Sequence, residues 1–369
     1  MKTKVHQKLL ADAMKMMRGL ISKEKLSAFS FVRLDAASFY VSLAGGNDMI
    51  QLTFRLKGDH REEGVVMVPG HYFDRFIQVM DGEVSIEGDF GSAVSISDAR
   101  CKFNVGAAND DAYVALLGPK EDATSFICDA RIFREMLLKV KFAAAVDSPR
   151  KILEGVCFEV RGDRLAMTAT DGRRLAHVEK EEDTVLDDDK EVVSVVLPNV
   201  TVNTLYTLLQ EEEKNIHIFV DDRSVRFVAD KWTMVSKVYA DKYPNWKAVV
   251  PENTAHRATI DREKFIDALK AACLAIPSGV ERAVKISFKN GEIVFKTQGE
   301  NTVGEIKIGA CNMPKDVKFT VLLSPDLILD ALQSLYDDEF TLEWNDSVSP
   351  IVLKCSIPWL TVIMPMRTK

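Results

Sequence analysis

The sequence predicts an α+β protein made of three tandem copies of one domain, each with two helices packed on antiparallel sheets. Two recurrences and one alternation point there. Apolar pairs at i and i+4 return at nearly equal intervals, a β-branched run passing through proline into a helix returns at a similar interval, and short period-two runs fill the space between.

The first helix of each copy is read from Leu10 and Met14 in "HQKLLADAMKMM", Phe133 and Leu137 in "ARIFREMLLKV", and Phe265 and Leu269 in "REKFIDALKAAC", at spacings of 123 and 132 residues. The second helix opens behind Pro69, Pro198 and Pro325, which lie 129 and 127 residues apart. Proline suits a helix start because its missing N–H belongs to the first turn, where no intrahelical acceptor exists. With the prolines aligned, Phe73, Val202 and Leu329 coincide, as do Phe76, Leu205 and Leu332. Alternating runs follow each second helix: "EVSIEG", "AVSISD" and "CKFNVG", then "IHIFVDD", "SVRFVAD" and "TMVSKVYA", then "FTLEWND", "IVLKCS" and "LTVIMPM". Similar runs follow each first helix, so a copy reads as about eight strands and two helices. The copies are placed at 1–120, 124–250 and 256–369, with joints near "LLGPKEDAT" and "VVPENTAH". Units of this size are whole domains, each with its own core. The acidic run "EKEEDTVLDDDKE", 179–191, reads as a solvated loop inside the second copy.

At 369 residues the chain is long enough for two or three cores. No apolar run reaches the length of a membrane span. "MKTKVHQKLLADAMKMM" has no long apolar stretch, so no secretory signal is expected and the chain reads as cytoplasmic. Cys101, Cys128, Cys157, Cys273, Cys311 and Cys355 are scattered without a CxxC pair and read as reduced thiols. The histidines are equally dispersed, so neither a metal nor a cofactor is expected. A net charge of −7 excludes a surface coated with basic residues but leaves room for a local basic stripe.

Two stretches invite chemistry. In "ATDGRRLA", 169–176, Asp171 with Arg173 and Arg174 offers an acid and two phosphate-binding cations. The favoured reading is a turn, because Asp-Gly between alternating runs is a hairpin signal in which Gly172 takes the positive φ. No glycine-rich phosphate loop, nucleophile elbow or paired histidine completes a catalytic set. "YPNWKAVVP", 243–251, reads as a rigid exit from the second copy, or as the wall of a groove. The chain also stays apolar almost to its end, in "LTVIMPMRTK", where a polar frayed tail is commoner.

"ATDGRRLA", "YPNWKAVVP" and the terminal "VIMPMR", in that order on a threefold-repeated chain, closely resemble the bacterial DNA polymerase III beta subunit, the replicative sliding clamp. "SPRKILEGVCFEV" and "NDSVSPIVL" add to the likeness. The resemblance spans the chain and is weakest in the first copy. It implies copies of a DNA-clamp domain and a head-to-tail homodimer that closes a six-domain ring around double-stranded DNA, without sequence specificity and without enzymatic activity. Twelve helices about 10 Å apart make a circle roughly 120 Å around and about 38 Å across. Removing one helix diameter of about 10 Å leaves room for a duplex. Modest positive potential suffices to line such a hole. The residues that would supply it are Lys8, Lys15 and Arg18 on the first helix, Arg131, Arg134 and Lys141 in the second copy, more weakly Arg262 and Lys264 in the third, and Lys23, Lys25, Arg150 and Lys151 in loops.

The resemblance also gives the apolar tail a purpose. In the family it helps form a pocket between the second and third domains that takes short linear peptides from the replicative polymerase, the clamp loader and repair polymerases. Its walls carry over to Leu153, Thr170, Gly172, Arg174, Leu175, Pro244, Val249, Val348, Val362, Ile363, Met364, Pro365, Met366 and Arg367. Flexible thioethers and aliphatics suit varied apolar anchors. Ala248, Glu281, Ser324, Pro350 and Arg173 depart from the usual family pattern, so the preferred peptide sequence stays open. Two other readings stand beside the clamp: an enzyme using Asp171 as an acid, and a binding scaffold of the same fold that never closes a ring.

Overall fold

A computed structural model gives the architecture and describes residues 1–24, 27–37, 39–89, 92–108, 113–181, 193–209, 214–277, 279–289, 291–299, 301–309, 318–356 and 358–367. Among these, six α-helices and 24 strands follow one order three times. The first round is β1 (Lys2–His6), α1 (Gln7–Met17), β2 (Phe31–Ala37), β3 (Tyr40–Gly46), β4 (Ile50–Glu62), β5 (Gly64–Pro69), α2 (Gly70–Val79), β6 (Glu83–Glu87), β7 (Ala93–Ser97) and β8 (Lys102–Gly106). The second is β9 (Thr124–Asp129), α3 (Ala130–Lys141), β10 (Gly155–Arg161), β11 (Arg164–Thr170), β12 (Arg174–Glu181), β13 (Val193–Pro198), α4 (Asn199–Leu208), β14 (Asn215–Val220), β15 (Ser224–Val228) and β16 (Trp232–Lys237). The third is β17 (His256–Asp261), α5 (Arg262–Cys273), β18 (Val284–Lys289), β19 (Glu292–Gln298), β20 (Val303–Gly309), β21 (Lys318–Leu323), α6 (Pro325–Gln333), β22 (Glu339–Trp344), β23 (Ile351–Lys354) and β24 (Trp359–Ile363). The sequence reading lacks the leading strand of each round. β1, β9 and β17 bury only Thr3 and Val5, Phe126 and Cys128, and Ala258 and Ile260, too few positions to show an alternation.

The helical pairs behave as their spacing dictates: Leu10, Met14, Phe133, Leu137, Phe265 and Leu269 are all buried. Burying a side chain of this size contributes about 1.5–3 kcal/mol. Caps fix all three of these starts, with the His6 ring accepting the Lys8 N–H at 3.3 Å, Asp129 the Ile132 N–H at 3.3 Å and Asp261 the Lys264 N–H at 2.9 Å. The proline alignment needs one correction. Pro69 and Pro198 end their strands, whereas Pro325 lies inside the first turn of α6 behind an N-cap at Ser324. The inward position therefore comes one residue earlier, and Ile328 rather than Leu329 is the buried counterpart of Phe73 and Val202.

The chain divides into two compact units, chiefly Met1–Ile132 with Asn203–Ala240, and Phe133–Asp183 with Asp241–Lys369. The first unit holds a 12-stranded antiparallel sheet in the order β8-β7-β6-β1-β4-β16-β15-β14-β9, with β2, β3 and β5 branching from β4. Its helices α1 and α2 are tied by Arg18, whose Nε lies 2.9 Å from Asp74. The second unit holds an eight-stranded sheet, β13-β10-β11-β12-β24-β23-β22-β17, and a four-stranded one, β20-β19-β18-β21. Phe265 of α5 meets Phe295 and Phe340 edge-on at centroid distances of 4.9 and 5.3 Å, which knits α5 to β19 and β22. Glu179, Lys180 and Glu181, read as loop, are the end of β12. The rest of that acidic run, with Cys311, Lys25, Thr368 and Lys369, lies outside the described residues.

Candidate functional site

The Asp-Gly stretch joins β11 to β12 through Asp171, Gly172 and Arg173, a three-residue connection rather than the two-residue turn expected from the sequence. Only Gly172 carries a positive φ, +85°. The longer turn is held by its own side chains. Asp171 Oδ1 accepts the N–H groups of Arg173 and Arg174 at 2.8 and 2.9 Å, and Thr170 Oγ1 accepts the Gly172 N–H at 3.1 Å. Asp171 thus spends its carboxylate on the backbone, which accounts for it without acid chemistry.

Strand pairing then brings the tail to this turn. β24 lies between β23 and β12, with Leu175 opposite Val362 and Arg174 opposite Ile363. Met364 leaves the ladder by donating its N–H to Arg173 O at 2.9 Å, and Met366 donates to Leu322 O at the end of β21 at 2.8 Å. Pro365 between them has no N–H to donate, so the chain is stitched on either side of it. The tail is therefore fixed between the turn and β21 rather than frayed.

Arg174 is nine-tenths buried. Its guanidinium lies 2.7 Å from Asp330 of α6 and 3.2 Å from Asp171, with the Phe142 ring 5.3 Å beneath it. Beside it, Leu175, Val352 and Val362 form a small apolar cluster covered by Trp246, Val250 and Leu360. Tyr243 props the turn, its Oη accepting the Thr170 N–H at 3.0 Å. Burial pushes this phenol well above its ordinary range. Trp246, in the 3₁₀ turn Trp246–Val249, stacks on His177 at 4.0 Å. Burial holds the His177 imidazole down to about 4. Trp246 belongs to the aromatic segment that the sequence singled out as a whole, whereas His177 was not named. Their signal in the sequence is only that an aromatic segment needs a surface to cover.

The fourteen wall candidates fall into three groups. Leu153, Leu175, Val362 and Ile363 are buried. Thr170, Pro244, Pro365 and Met366 are half-buried and Arg174 nearly buried, while Gly172, Val249, Val348, Met364 and Arg367 are exposed. Strand pairs join Arg174 and Leu175 to the last strand, and Thr170 and Gly172 are bonded to each other within the adjoining turn. Leu153 sits on a separate 3₁₀ turn, and Val348 stands in the β22–β23 connection. Next to the turn is a cavity of about 500 Å³ lined by Arg173, Ile276, Pro277, Glu281, Arg282, Ser324, Asp326 and Leu327, among others. Arg173 reaches Glu281 at 2.9 Å, and Arg282 pairs with Asp326. The sequence flagged Glu281 and Ser324 only as departures, and Arg173 as a departure and a candidate cation; the fold gathers all three on this one cavity.

The cationic candidates are mostly exposed and partly neutralised. Lys8, Lys15, Lys23 and Arg150 are exposed. Arg18, Arg131 and Lys151 are exposed but paired with Asp74, Asp129 and Glu154 at 2.9, 2.9 and 3.0 Å. The Arg131 guanidinium holds the Asp129 carboxyl below its usual range. Arg134 is half-buried, and burial with Arg134 nearby pushes the half-buried Lys141 below the usual lysine range. Arg262 donates to Asp337 O at 2.6 Å and serves the fold, and Lys264 pairs with Asp261 at 2.8 Å. The stripe is thus weaker than a count of its cations suggests.

Residues 128–245 match the family model for the DNA polymerase III beta subunit, central domain, and residues 247–367 that for its C-terminal domain. The beta sliding clamp of Staphylococcus epidermidis is 24% identical over 366 residues, covering 95% of each chain. The sliding clamp of Bacillus subtilis has the same fold at a TM-score of 0.92 and 20% identity, over 100% of both chains. So does the Helicobacter pylori beta clamp, solved bound to a DNA ligase peptide, at a TM-score of 0.88 and 19% identity. With its second and third rounds matched one after the other and its whole length alike in fold, the chain belongs to the DNA polymerase III beta subunit family.

Proposed function

We propose that the chain is a DNA sliding clamp. Two copies form a ring around duplex DNA and tether the replicative polymerase, and partner proteins dock by short peptides in the groove beside the tail. It has no catalytic activity, works in the cytoplasm, and consists of three clamp domains near 1–120, 124–250 and 256–369. The observation that carries the ring is a pair of sheet edges that are open among the described residues. β8 ends one sheet and β20 another, and both are exposed at every second residue. Such edges offer unpaired N–H and C=O groups and normally need cover. Beside β8 stack Tyr72, Phe76 and Phe103, with centroids 6.0 and 4.3 Å apart; near β20 stand Leu274, 87% exposed, and Val303, 76% exposed. Pairing β8 of one protomer with β20 of its partner covers both edges and both apolar sets. A contact between unlike surfaces closes when the second copy returns to the first.

The tempered basic stripe fits a ring that slides, since strong phosphate contacts act as a brake. The groove reading draws on the stitched tail, on the mobile thioethers of Met364 and Met366, and on the peptide bound by the Helicobacter pylori relative. The deciding test is retention on DNA. A clamp stays on closed circles at high salt and leaves when they are linearised, whereas direct phosphate binding falls steeply with salt on both forms. A species of 41.3 kDa with no retention on circles would overturn the ring. Hydrolytic or phosphoryl-transfer activity lost on Asp171→Asn would favour the enzyme reading instead.

A further inference from the structure

We propose that the Arg173–Glu281 ion pair is a latch across the mouth of the cavity beside the tail, closed in the free protein and parted when a partner peptide inserts an apolar side chain. This rests on the peptide-groove reading and concerns how that groove is opened. Arg173 belongs to the β11–β12 turn, which holds Met364 through its own carbonyl, and Glu281 lies 108 residues on, after α5. The two join at 2.9 Å and both line the cavity of about 500 Å³. Behind them Ile276, Pro277, Val280 and Leu327 give the lining an aliphatic part, beside Ser324 and the Arg282–Asp326 pair. Because Met366 is bonded to Leu322 O, two residues before Ser324 of the lining, the tail runs past this cavity. An apolar anchor that enters the cavity from the tail meets Arg173, whose carbonyl holds Met364, and with it Glu281.

The neighbouring Arg174 shows what separates a latch from a fixed strut. Arg174 is 10% exposed, held by two carboxylates and packed on a ring. Arg173 and Glu281 are 61% and 68% exposed with one contact between them. An exposed pair of this kind is weak and is loosened further by salt, so it resists entry slightly and reversibly. Two consequences follow. Neutralising Glu281 strengthens peptide binding by about two- to fivefold at low salt. Raising salt narrows that difference, because it opens the latch of the unaltered protein and has no latch to open in the variant.

The test is titration of the fluorescein-labelled DNA ligase peptide of the Helicobacter pylori complex at 20, 100 and 300 mM NaCl. The proteins are the unaltered dimer, Glu281→Gln, Arg173→Gln, and the exchange Arg173→Glu with Glu281→Arg. The expected result is tighter binding by Glu281→Gln at 20 mM, convergence at 300 mM, and return of the unaltered salt response in the exchanged protein. If the unaltered protein binds the peptide and Glu281→Gln matches it at every salt concentration, the latch is wrong and the groove stands. If Glu281→Gln binds more weakly, Glu281 contacts the peptide and the latch is also wrong. If the unaltered protein binds no peptide at any salt concentration, the groove reading falls and the latch falls with it.

Discussion

Lowering the pH from 7 to 5 will destabilise the second compact unit through one side chain, His177. Its ring stacks on Trp246 at 4.0 Å, its Nδ1 lies 2.9 Å from Thr168 Oγ1, and its Nε2 lies 3.9 Å from Glu179. Burial is the largest influence on it; Glu179 favours its charge and Lys247 opposes it, and the folded pKa falls from 6.5 to about 4. The unfolded chain therefore takes up a proton between those values that the folded chain refuses. Stability is fully present above about pH 6.5, declines as pH falls, and levels off below about 4. At about 1.36 kcal/mol per unit the full shift is worth about 3 kcal/mol, and integrating the linkage to pH 5 gives a loss of about 2 kcal/mol. The carboxylates that Arg131 and Lys264 hold low, Asp129 and Asp261, lose their share only at lower pH. Urea unfolding followed by circular dichroism at pH 7, 6 and 5 reads the effect in the unaltered protein and in His177→Phe. Phenylalanine keeps a ring against Trp246 but leaves the Thr168 hydroxyl unpartnered, a pH-independent cost of about 1–3 kcal/mol. The pH-dependent loss should shrink by about 2 kcal/mol in the variant. Equal pH slopes in the two proteins would refute the reasoning. Peptide affinity should fall over the same range, since the Trp246 turn adjoins Pro244.

Deleting Met364 to Lys369 should abolish binding of the ligase peptide while leaving size and circular dichroism unchanged, because β24 stays paired with β12 and β23; Met364→Ala with Met366→Ala should cost about 1–4 kcal/mol in the same titration. Replacing Lys8, Lys15, Arg131 and Arg134 together with serine should weaken binding to short open duplex and flatten its salt dependence, measured by fluorescence anisotropy; an unchanged slope removes these residues from the DNA face. Leu274→Lys places a charge on a side chain that is 87% exposed in the single chain, so it should leave the fold intact and shift sedimentation from dimer to monomer. Cys157, whose thiol burial pushes up to about 12, should resist iodoacetamide at pH 8 in the folded protein and react once the chain is unfolded in urea.

Leu10 with Met14, Phe133 with Leu137 and Phe265 with Leu269 needed no tertiary knowledge. Helical and strand periods are properties of neighbouring residues, so the class, the number of helices and most strands could be read directly. The threefold order followed because the same local pattern returns at a long period. The leading strands β1, β9 and β17 escaped because two inward residues make no pattern, and the position of Pro325 escaped because a cap depends on backbone geometry that spacing does not encode. The groove divides in the same way. The Asp-Gly turn, the aromatic segment and the apolar tail were visible as pieces, and family resemblance named them as parts of one site. Only the fold could lay β24 beside β12, since strand partnership is decided by burial summed over many residues far apart in sequence. That pairing sets Arg173 against Met364, and the packing around it buries Arg174 between Asp171 and Asp330 and places Glu281 beside Arg173. Burial decided the chemistry as well: the sequence holds a histidine at 177, and its burial in the fold, where Trp246 stacks on it, holds its pKa down to about 4.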